Sequence, residues 1–553
     1  MTASRRFLLT TASIRWLVGL LLVVGCKPAS NPVAKPESVA EPAKTNVEPI
    51  ASTDSAIADT PSFRPSADAI VIDGALNEID WDSLVGKRVI VRGDLTIVDT
   101  YNLIRRGQVD VARERLYVPT SIVDPNDKDP KLNSYEGGNN VAQVTQAQKL
   151  NDTATITLDD GSAEQNIFPP KLFPNLGGGL ATVRLGSTIK DVSGKVVLAG
   201  SKLLLVADQP LNWTPAPRPP RPDVGNAEVT VASFNVLNYF TTIDDGNNNA
   251  RGADSYAELQ RQEAKIVSAM IALKADVIGL MELENNLEAE QRLVDALNQA
   301  IGQEIFRGCG LPDGFAKAPG GNDAIRVGMI YRSDRVSTIG DVTMIRDDAF
   351  GVARTPIVQT FQAVSGQAVS GQAVSGQAVS GGDPFTVVVN HFKSKGGASN
   401  APKANQNKGD GQGAYNASRR AQSLAITDFV RSLKVDEQEP RVLIIGDFNA
   451  YQQEDPVDAL RAMGLIDLHE HQRASETDSG SYSYVYYGQA GSLDHAFATP
   501  ALANSVTGVA AWHINADEPR SLDYNQEYNP SELFREDPYR SSDHDPVLIG
   551  IGD

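Results

Sequence analysis

The sequence predicts two folded domains, a small all-β barrel followed by a larger α/β domain with a sheet core. Three observations support this. The chain has 553 residues, too many for one hydrophobic core. Short strand-like runs fill residues 83–208, whereas residues 227–553 alternate buried strand-like runs with amphipathic helices. Six prolines between residues 210 and 222 mark a stiff linker, predicted over residues 209–226.

The first residues predict an exported protein. Two arginines precede an apolar run, Trp16 to Val24, which is shorter than the ~20 residues of a membrane span but typical of a signal peptide, predicted over residues 1–25. The run ends in Val-Val-Gly-Cys26, which resembles the bacterial lipobox. That resemblance implies lipidation of Cys26 and a membrane-anchored envelope or extracellular protein. An ordinary signal peptide with an incidental cysteine is the alternative.

Residues 26–82 are rich in Ala, Pro, Ser, Glu and Thr, with few aromatic residues. Such a composition buries too little apolar surface to offset the entropy of ordering. We therefore predict a disordered tether between the anchor and the folded domains.

The barrel is predicted from short apolar runs separated by Gly, Asp and Asn turns. The runs are Arg88–Arg92, Asp94–Val98, Thr153–Leu158, Lys195–Leu198 and Lys202–Val206. No convincing helical periodicity interrupts them. The pattern favours an OB-type barrel first and a sandwich second.

The α/β domain is predicted from longer apolar runs that alternate with helical periodicity. The strands are Glu228–Phe234, Ala275–Leu280, Arg326–Tyr331, Phe385–Asn390 and Arg441–Gly446, and the helices are Ala257–Leu273 and Asn416–Leu433. Gln-Ala-Val-Ser-Gly occurs four times in tandem from Gln362 to Gly381. A five-residue period matches no solenoid or propeller repeat, so we predict a flexible insertion between two strands.

Polar residues recur where the apolar strands of this domain end. They are Asn235, Glu282, His391, Asp447, Asn449, Asp494, His495, Asp543 and His544. One polar residue after a strand is usually a turn former or a helix cap. Six such places in one domain instead indicate a site assembled from distant parts of the chain.

The residue types in this set indicate the chemistry. Carboxylate and amide oxygens with few histidines suit Mg²⁺, Mn²⁺ or Ca²⁺, whereas zinc would favour His and Cys. The sequence lacks a Gly-rich loop with Lys-Ser/Thr, which argues against nucleoside-triphosphate chemistry. A carboxylate-held cation with two histidines suits hydrolysis of a phosphate ester.

Six motifs occur in an order that resembles the DNase I-like endonuclease/exonuclease/phosphatase superfamily, in particular its bacterial extracellular nucleases. They are Phe-Asn235-Val-Leu-Asn, Leu-Met-Glu282-Leu-Glu-Asn, Val-Asn-His391-Phe-Lys-Ser-Lys, Gly-Asp447-Phe-Asn449-Ala, Ser-Leu-Asp494-His and Ser-Asp543-His544-Asp-Pro. The resemblance implies a four-layered α/β sandwich over residues 227–553 and a metal-dependent nuclease. More weakly, Val-Asp-Thr-Tyr-Asn102-Leu and Arg115-Leu-Tyr-Val-Pro-Thr resemble the OB-like domain that accompanies those nucleases.

The resemblance also implies the metal ligands. Glu282 and Asp543 would hold the principal cation, and Asn235 would position phosphate or metal. One branch of the superfamily carries a further acidic metal contact two residues after the first Asn. That position is Leu237 here, so a second metal is not implied.

The acid–base roles follow from the same resemblance. Asp447 and Asn449 would orient or deprotonate the attacking water. His544 would bind or protonate phosphate and be oriented by Asp494, since an imidazole in this role needs its second nitrogen fixed. His391 would be a second general acid.

The net charge of −19 disfavours non-specific binding of a polyanion, so a nuclease would need local positive charge. Such a basic loop carries Lys393, Lys395, Lys403, Lys408, Arg419 and Arg420 with one acid, Asp410. We predict Lys393 and Arg419 as contacts to the nucleic-acid backbone, against the alternative of a merely solvated loop. Arg354 resembles a DNA-contacting arginine of the family.

The predicted function is therefore an exported, monomeric phosphodiesterase that hydrolyses DNA, or DNA and RNA. Two alternatives stay open. One is a phosphodiesterase of the same fold that acts on phospholipid or sphingomyelin, for which no exposed aromatic hairpin is evident in the sequence. The other is a non-catalytic surface-binding lipoprotein, which the intact motifs disfavour.

Overall fold

The computed structural model describes residues 68–126, 140–177, 182–365, 379–433, 439–471 and 481–552. The predicted signal peptide, the lipidation site at Cys26 and most of the predicted tether lie outside these residues. The chain from Arg64 to Asp553 clusters as one compact unit. Among the described residues, no helix combines the length and the apolar character needed to span a membrane.

The N-terminal region is built from strands, as predicted. Its strands are β1 (Ile70–Ile72), β2 (Arg88–Asp99), β3 (Gln108–Ala112), β4 (Leu116–Tyr117), β5 (Ile156–Asp159), β6 (Thr188–Ala199), β7 (Lys202–Ala207) and β8 (Trp213–Thr214). Because β2 pairs with both β3 and β6, five strands close a ring in the order β2-β3-β5-β7-β6. Apolar side chains from these strands, among them Leu95, Val111 and Leu205, form a fully buried core.

Two helices in this region were not predicted. They are α1 (Leu103–Arg106) and α2 (Val141–Thr153). In α2 only Val144 is buried, so the helix lacks the apolar stripe by which an amphipathic helix is recognised. The tether prediction also extends too far, because β1 pairs with β2 and Trp81 is buried in the core.

The second region is an α/β sandwich, which confirms the predicted fold class. Its strands are β9 (Val229–Tyr239), β10 (Val277–Glu284), β11 (Phe306–Gly308), β12 (Ile325–Arg332), β13 (Val336–Met344), β14 (Ile357–Ser365), β15 (Val379–His391), β16 (Val442–Asp447), β17 (Ile466–Asp467), β18 (Tyr484–Tyr486), β19 (Gln489–Gly491), β20 (Asp494–Ala498), β21 (Val506–Ala511) and β22 (Val547–Ile551). One six-stranded sheet has the order β11-β12-β10-β9-β22-β21 and the other β13-β14-β15-β16-β20-β17.

The two six-stranded sheets pack face to face and share one apolar core. A Cβ on Gly279 of β10 would lie 2.8 Å from side-chain atoms of Val389 and Ile445 on the opposite sheet. Glycine at this position therefore lets the sheets approach closely.

Helices cover both outer faces of the sandwich and complete four layers. They are α3 (Tyr256–Leu273), α4 (Glu288–Ile301), α5 (Asn416–Ser432) and α6 (Asp455–Ala462), whereas the short helices α7 (Leu468–His471) and α8 (Pro500–Ala503) pack into the core between the sheets. Helices α3 and α4 pack on the first sheet, and α5 and α6 pack on the second. The amphipathic character predicted for α3 is present, because Leu259, Ile266, Met270 and Leu273 are buried. The Ser255 hydroxyl caps this helix by accepting from the backbone N–H of Glu258.

The five-residue repeat lies between β14 and β15. Its ends are paired rather than loose, because Ala363 lies opposite Gly381 and Val364 opposite Ser380. The insertion predicted over the whole repeat is therefore shorter, and residues 366–378 lie outside the described ranges.

A small third sheet joins the N-terminal strands to the sandwich. The β18–β19 hairpin pairs with β4, in the order β18-β19-β4. Ion pairs add to this junction, with 2.9 Å between Arg115 Nη1 and Asp517 Oδ1 and 2.9 Å between Arg218 Nε and Glu518 Oε1. Both carboxylates are buried, so the two regions share a polar interior as well as a sheet.

Candidate active site

The strand register brings the predicted site residues to one end of the sandwich. On the second sheet, His391 at the end of β15 lies opposite Asp447 of β16, and Asp447 lies opposite Asp494 of β20. On the first sheet, Asn235 of β9 lies opposite the residue that precedes Glu282 of β10. Residues far apart in the sequence therefore converge where the two sheets meet.

Glu282, His391 and Asp447 form a candidate metal site, because one ligand atom of each lies within 4.8 Å of the others. Nε2 of His391 is 3.4 Å from Oδ2 of Asp447. His391 and Asp447 are buried and Glu282 is partly buried. Two carboxylates and one imidazole match the donors that divalent cations accept.

The electrostatics of this cluster fit a cation. Burial, followed by the charge of Asp543, raises the pKa of the Glu282 carboxyl. Burial also raises the pKa of Asp447 to about 7, and the charges of Asp494 and Glu282 add to that rise. Crowded, desolvated carboxylates are unfavourable without a counter-charge, and a bound cation would supply it.

His391 suits a ligand role better than the predicted role of general acid. Burial, and then the positive charge of Arg354, lowers its pKa well below 6.5, so the imidazole is neutral. Its buried Nδ1 atom has no hydrogen-bond partner among the described residues. A neutral ring with a free nitrogen can bind a metal or a phosphate, but it is poorly placed to donate a proton.

Glu282 is fixed by its neighbours, whereas Asp543 stands apart. Asn235 Nδ2 donates to Glu282 Oε1 at 3.1 Å, and the backbone N–H of Asn238 donates to Oε2 at 2.9 Å. Glu282 and Asp543 were the two principal metal ligands predicted. Glu282 belongs to the candidate metal site with His391 and Asp447, whereas Asp543 does not. Asp543 lies close enough for its charge to raise the pKa of Glu282, and it lines the cleft in front of the site.

His544 and Asp494 form an oriented pair, in the geometry the sequence predicted. His544 Nδ1 is 2.7 Å from Asp494 Oδ2, and the other ring nitrogen is 4.0 Å from Asp447 Oδ2. Although burial lowers it, the charge of Asp494 raises the pKa of His544 well above 6.5. The imidazolium is therefore held with Nε2 facing the candidate metal site, where it could bind or protonate a phosphate oxygen.

Asn449 positions Asp447. Its backbone N–H donates to Asp447 Oδ1 at 2.8 Å and its Nδ2 donates to Oδ2 at 3.1 Å. The residue has a left-handed backbone, with φ of +48°. Asparagine tolerates this conformation better than most residues, and it aims both donors at one carboxylate.

The three predicted substrate contacts differ in position. Arg354 lies beside His391 and donates from Nη1 to the backbone oxygen of Phe392 at 3.2 Å. The Lys393 ammonium lies 4.4 Å from the centre of the Tyr415 ring on the same side. Arg419 is fully buried, and its guanidinium donates to backbone oxygens, including that of Ala414 at 2.7 Å. It holds the basic loop from beneath, so it has no surface from which to contact substrate.

Sequence reasoning missed two residues of the site, both at the start of the β18–β19 hairpin. The Ser483 hydroxyl donates to Asp494 Oδ2 at 2.6 Å. The Tyr484 ring packs 4.6 Å from the ring of His544. The alternating run Tyr-Ser-Tyr-Val-Tyr-Tyr487 was the available signal. At the end of this run, Tyr486 and Tyr487 are exposed. The structure therefore contains an exposed aromatic hairpin, which was not evident from the sequence.

Comparison with known proteins places these features in a family. The model of the Endonuclease/Exonuclease/phosphatase family matches residues 232–544, more than half of the chain. The match includes every predicted catalytic and metal residue, from Asn235 to His544. A search of curated proteins found no match.

Solved structures also resemble the chain. The human Nocturnin catalytic domain with bound sulfate is 16% identical, with a TM-score of 0.36, and the match covers 60% of this chain and 98% of that one. D. rerio TDP2 complexed with a single-strand DNA product is 14% identical, with a TM-score of 0.33 and coverage of 59% and 99%. A mannosyl-6-phosphatase of Bacteroides thetaiotaomicron is 13% identical, with a TM-score of 0.35 and coverage of 59% and 100%.

Proposed function

Because the chain belongs to the Endonuclease/Exonuclease/phosphatase family, whose members hydrolyse phosphoester bonds, we propose that it is an exported, metal-dependent nuclease. Its substrate would be DNA, or DNA and RNA. One observation carries the proposal: the Glu282, His391 and Asp447 cluster faces the imidazole of His544, which Asp494 orients. A cation site and a proton donor on one phosphate are what hydrolysis of a phosphodiester requires.

The residues fit a divalent cation with a preference for oxygen donors, Mg²⁺ first and Mn²⁺ or Ca²⁺ as alternatives. Glu282 and His391 would hold it, with Asp543 at the edge of the site and Asp447 beside it, left to act on the attacking water. Bound there, the cation would neutralise negative charge on the phosphoryl oxygens.

The protein's own groups would handle the protons. Asp447, held by Asn449, accepts a proton from the attacking water. As the bond between phosphorus and the leaving oxygen breaks, His544 donates its Nε2 proton to that oxygen. Asp494 keeps the imidazolium aligned throughout.

Nucleic acid is favoured as substrate by the positive groups beside the site. Arg354 and Lys393 lie next to His391, where they can contact the phosphates that flank the cleaved bond. The exposed tyrosines of the β18–β19 hairpin are the observation that favours the alternative, a phosphodiesterase acting on lipids. A non-catalytic binding protein is the weaker alternative, because every motif residue is intact.

The remaining assignments are proposals that rest mainly on sequence. Lipidation of Cys26 would tether a monomer to the membrane, and it predicts fatty-acid labelling that a Cys26→Ser variant loses. The closed ring of strands supports an OB-type barrel, since β5 and β7 are parallel while the other neighbours in the ring are antiparallel.

A substrate panel tests the proposed function. Purified protein is incubated with plasmid, linear duplex, single-stranded DNA, RNA and sphingomyelin vesicles, in Mg²⁺ or Mn²⁺ and in a chelator. We expect cleavage of nucleic acid that the chelator abolishes and that His544→Ala lacks. If the wild type cleaves no nucleic acid, the proposal is wrong, and hydrolysis of sphingomyelin alone would establish the lipid alternative.

A further inference from the structure

A row of aromatic rings leads out of the candidate active site. The Tyr484 ring lies 4.6 Å from that of His544, the Tyr486 ring 6.4 Å from Tyr484, and the Tyr487 ring 4.4 Å from Tyr486. The exposed fraction rises along the row, from 6% for His544 to 54% for Tyr486 and 79% for Tyr487. The outer rings are therefore accessible to a ligand.

Turn formation does not explain why a tyrosine, Tyr487, occupies the tip of the hairpin. Tyr486 lies opposite Gln489, so Tyr487 and Gly488 form a two-residue turn, with φ of +47° and +74°. Turns with two positive φ values favour Asn, Asp or Gly at the first position. A tyrosine there is strained, which suggests that its ring has a use other than closing the turn.

The N-terminal strands hold this hairpin in place. The backbone N–H of Val118 donates to the oxygen of Ala490 at 2.9 Å, and Asn151 Nδ2 donates to Gln489 Oε1 at 2.8 Å. A Cβ on Gly488 would lie 3.4 Å from the Val98 side chain. The row of tyrosines is therefore a firm surface rather than a free loop.

A cleft of about 740 Å³ lies along this row, between the N-terminal strands and the sandwich. At its inner end are Asn238, which binds Glu282, and Asp543. Tyr101 also lines the cleft; it is 58% exposed, and the Arg520 guanidinium lies 5.9 Å from its ring centre. The volume is within the ~300–1,000 Å³ of pockets that enclose small ligands, so it suits a few unpaired nucleotides and not a duplex.

The charges of the cleft indicate how it would bind. The basic residues are Lys202, Arg251, Arg520 and Arg540, and the acidic ones are Asp99, Asp110, Glu518, Asp523 and Asp543. This near balance gives little net attraction for a phosphate backbone or an anionic membrane. Charged groups on the walls also disfavour lipid tails. Exposed aromatic faces remain as the main source of affinity, and they suit bases.

We propose that this cleft binds the unpaired nucleotides of a single strand, with bases stacked on Tyr486, Tyr487 and Tyr101. Tyr484 then places the adjoining phosphate beside His544. The inference rests on the proposed nuclease function and extends it, since it names the form of nucleic acid that the site accepts. The N-terminal strands then form part of the substrate site.

The test compares two variants of the full chain. In Tyr486→Ala/Tyr487→Ala the outer rings are removed. In Tyr256→Ala, the matched control, an equally exposed tyrosine at the start of α3, outside the cleft, is removed. Binding of fluorescent, hydrolysis-resistant phosphorothioate oligonucleotides, single-stranded and duplex, is measured by anisotropy in Mg²⁺ at two salt concentrations.

We expect the double variant to bind the single strand at least roughly tenfold more weakly, with duplex binding little changed. Tyr487→Phe should retain the affinity, because stacking needs the ring and not the hydroxyl. Single-strand binding by the double variant that is unchanged, or no weaker than that of Tyr256→Ala, would overturn the inference. If wild type cleaves no nucleic acid, the proposed function fails; if it cleaves but the double variant binds normally, only this inference fails.

Discussion

Replacing Asp494 by asparagine isolates what its carboxylate does for His544. The Asp494 side chain is almost fully buried, and its Oδ2 accepts from His544 Nδ1 at 2.7 Å and from the Ser483 hydroxyl at 2.6 Å. Asparagine fills the same space but carries no charge, and its amide can present a donor where His544 needs an acceptor. His544 would then lose both its orientation and the charge that keeps it protonated.

The size of the effect follows from these contacts. A hydrogen bond to a charged group contributes ~1.5–3 kcal/mol, which corresponds to roughly 10- to 150-fold in rate if it is lost in the transition state. Positioned acid–base catalysis contributes ~10²–10⁴-fold in total. We expect kcat of Asp494→Asn to fall by about 10²- to 10³-fold. KM should change little, because Arg354 and Lys393 are untouched.

Two further variants make the result interpretable. Ser483→Ala removes a hydroxyl that donates to the Asp494 carboxylate and accepts from the backbone N–H groups of Leu493 and Asp494. The charge beside His544 stays in place, so we expect a smaller loss of kcat than in Asp494→Asn, up to about tenfold. Ser492→Ala is the matched control, because this buried hydroxyl donates to the backbone oxygen of Asp494 and not to its carboxylate. Steady-state cleavage is measured alongside urea unfolding and Mg²⁺ binding. If folded Asp494→Asn were as active as Ser492→Ala, the role given to Asp494 would be wrong.

Three other changes probe the metal site, the interior and the domain junction. Glu282→Gln should weaken Mg²⁺ binding at least about tenfold by calorimetry, and unchanged affinity would contradict its role as a ligand. Burial outweighs the charge of the nearby Arg461 and raises the pKa of Asp458 from 3.8 to about 8. The protonated carboxyl therefore contributes fully to the stability of the folded state at low pH, and this contribution is lost as the pH rises towards 8. Asp458→Asn should therefore flatten the pH dependence of the free energy of unfolding between about pH 4 and 8, and an unaltered dependence would refute this. Arg115→Ala breaks an ion pair to the buried Asp517 and should cost up to ~3 kcal/mol in urea unfolding, whereas Arg113→Ala, which removes a more exposed arginine, should cost less.

The sequence was informative where structure depends on local pattern. Apolar runs predicted the strands of the sandwich, and polar residues at their ends marked Glu282, Asp447, Asp494 and His544 as candidates. The pairing of His544 with Asp494 was implied by the family resemblance. It was less informative where the contacts of a residue depend on the direction of its side chain or on the register between strands. Positive charge in a loop does not reveal that Arg419 points inwards, and no spacing reveals that His391 lies opposite Asp447 on the neighbouring strand.

Helix α2 and the hairpin show the same limit. The helix has a single buried side chain, so its sequence lacks the apolar periodicity from which a helix is predicted. The tyrosines of the hairpin could equally have been core residues. Only the pairing of β19 with β4, from the other end of the chain, determines that Tyr486 and Tyr487 face a cleft.

The backbone of the candidate site explains why its strand ends differ from ordinary turns. Leu237, Asn238, Glu282 and Asn449 all have positive φ, between +47° and +68°. A non-glycine residue in this region is strained by ~1–3 kcal/mol, so four near one site need compensation. Hydrogen bonds supply part of it: the N–H of Leu237 donates to Asn235 Oδ1, that of Asn238 to Glu282 Oε2, and that of Asn449 to Asp447 Oδ1. The strained backbone thus aims its N–H groups at the side chains that must stay fixed, so the candidate ligands are oriented before any cation or substrate arrives. Leu237 takes part through its backbone alone, which is why a leucine can occupy a position that is acidic in another branch of the family.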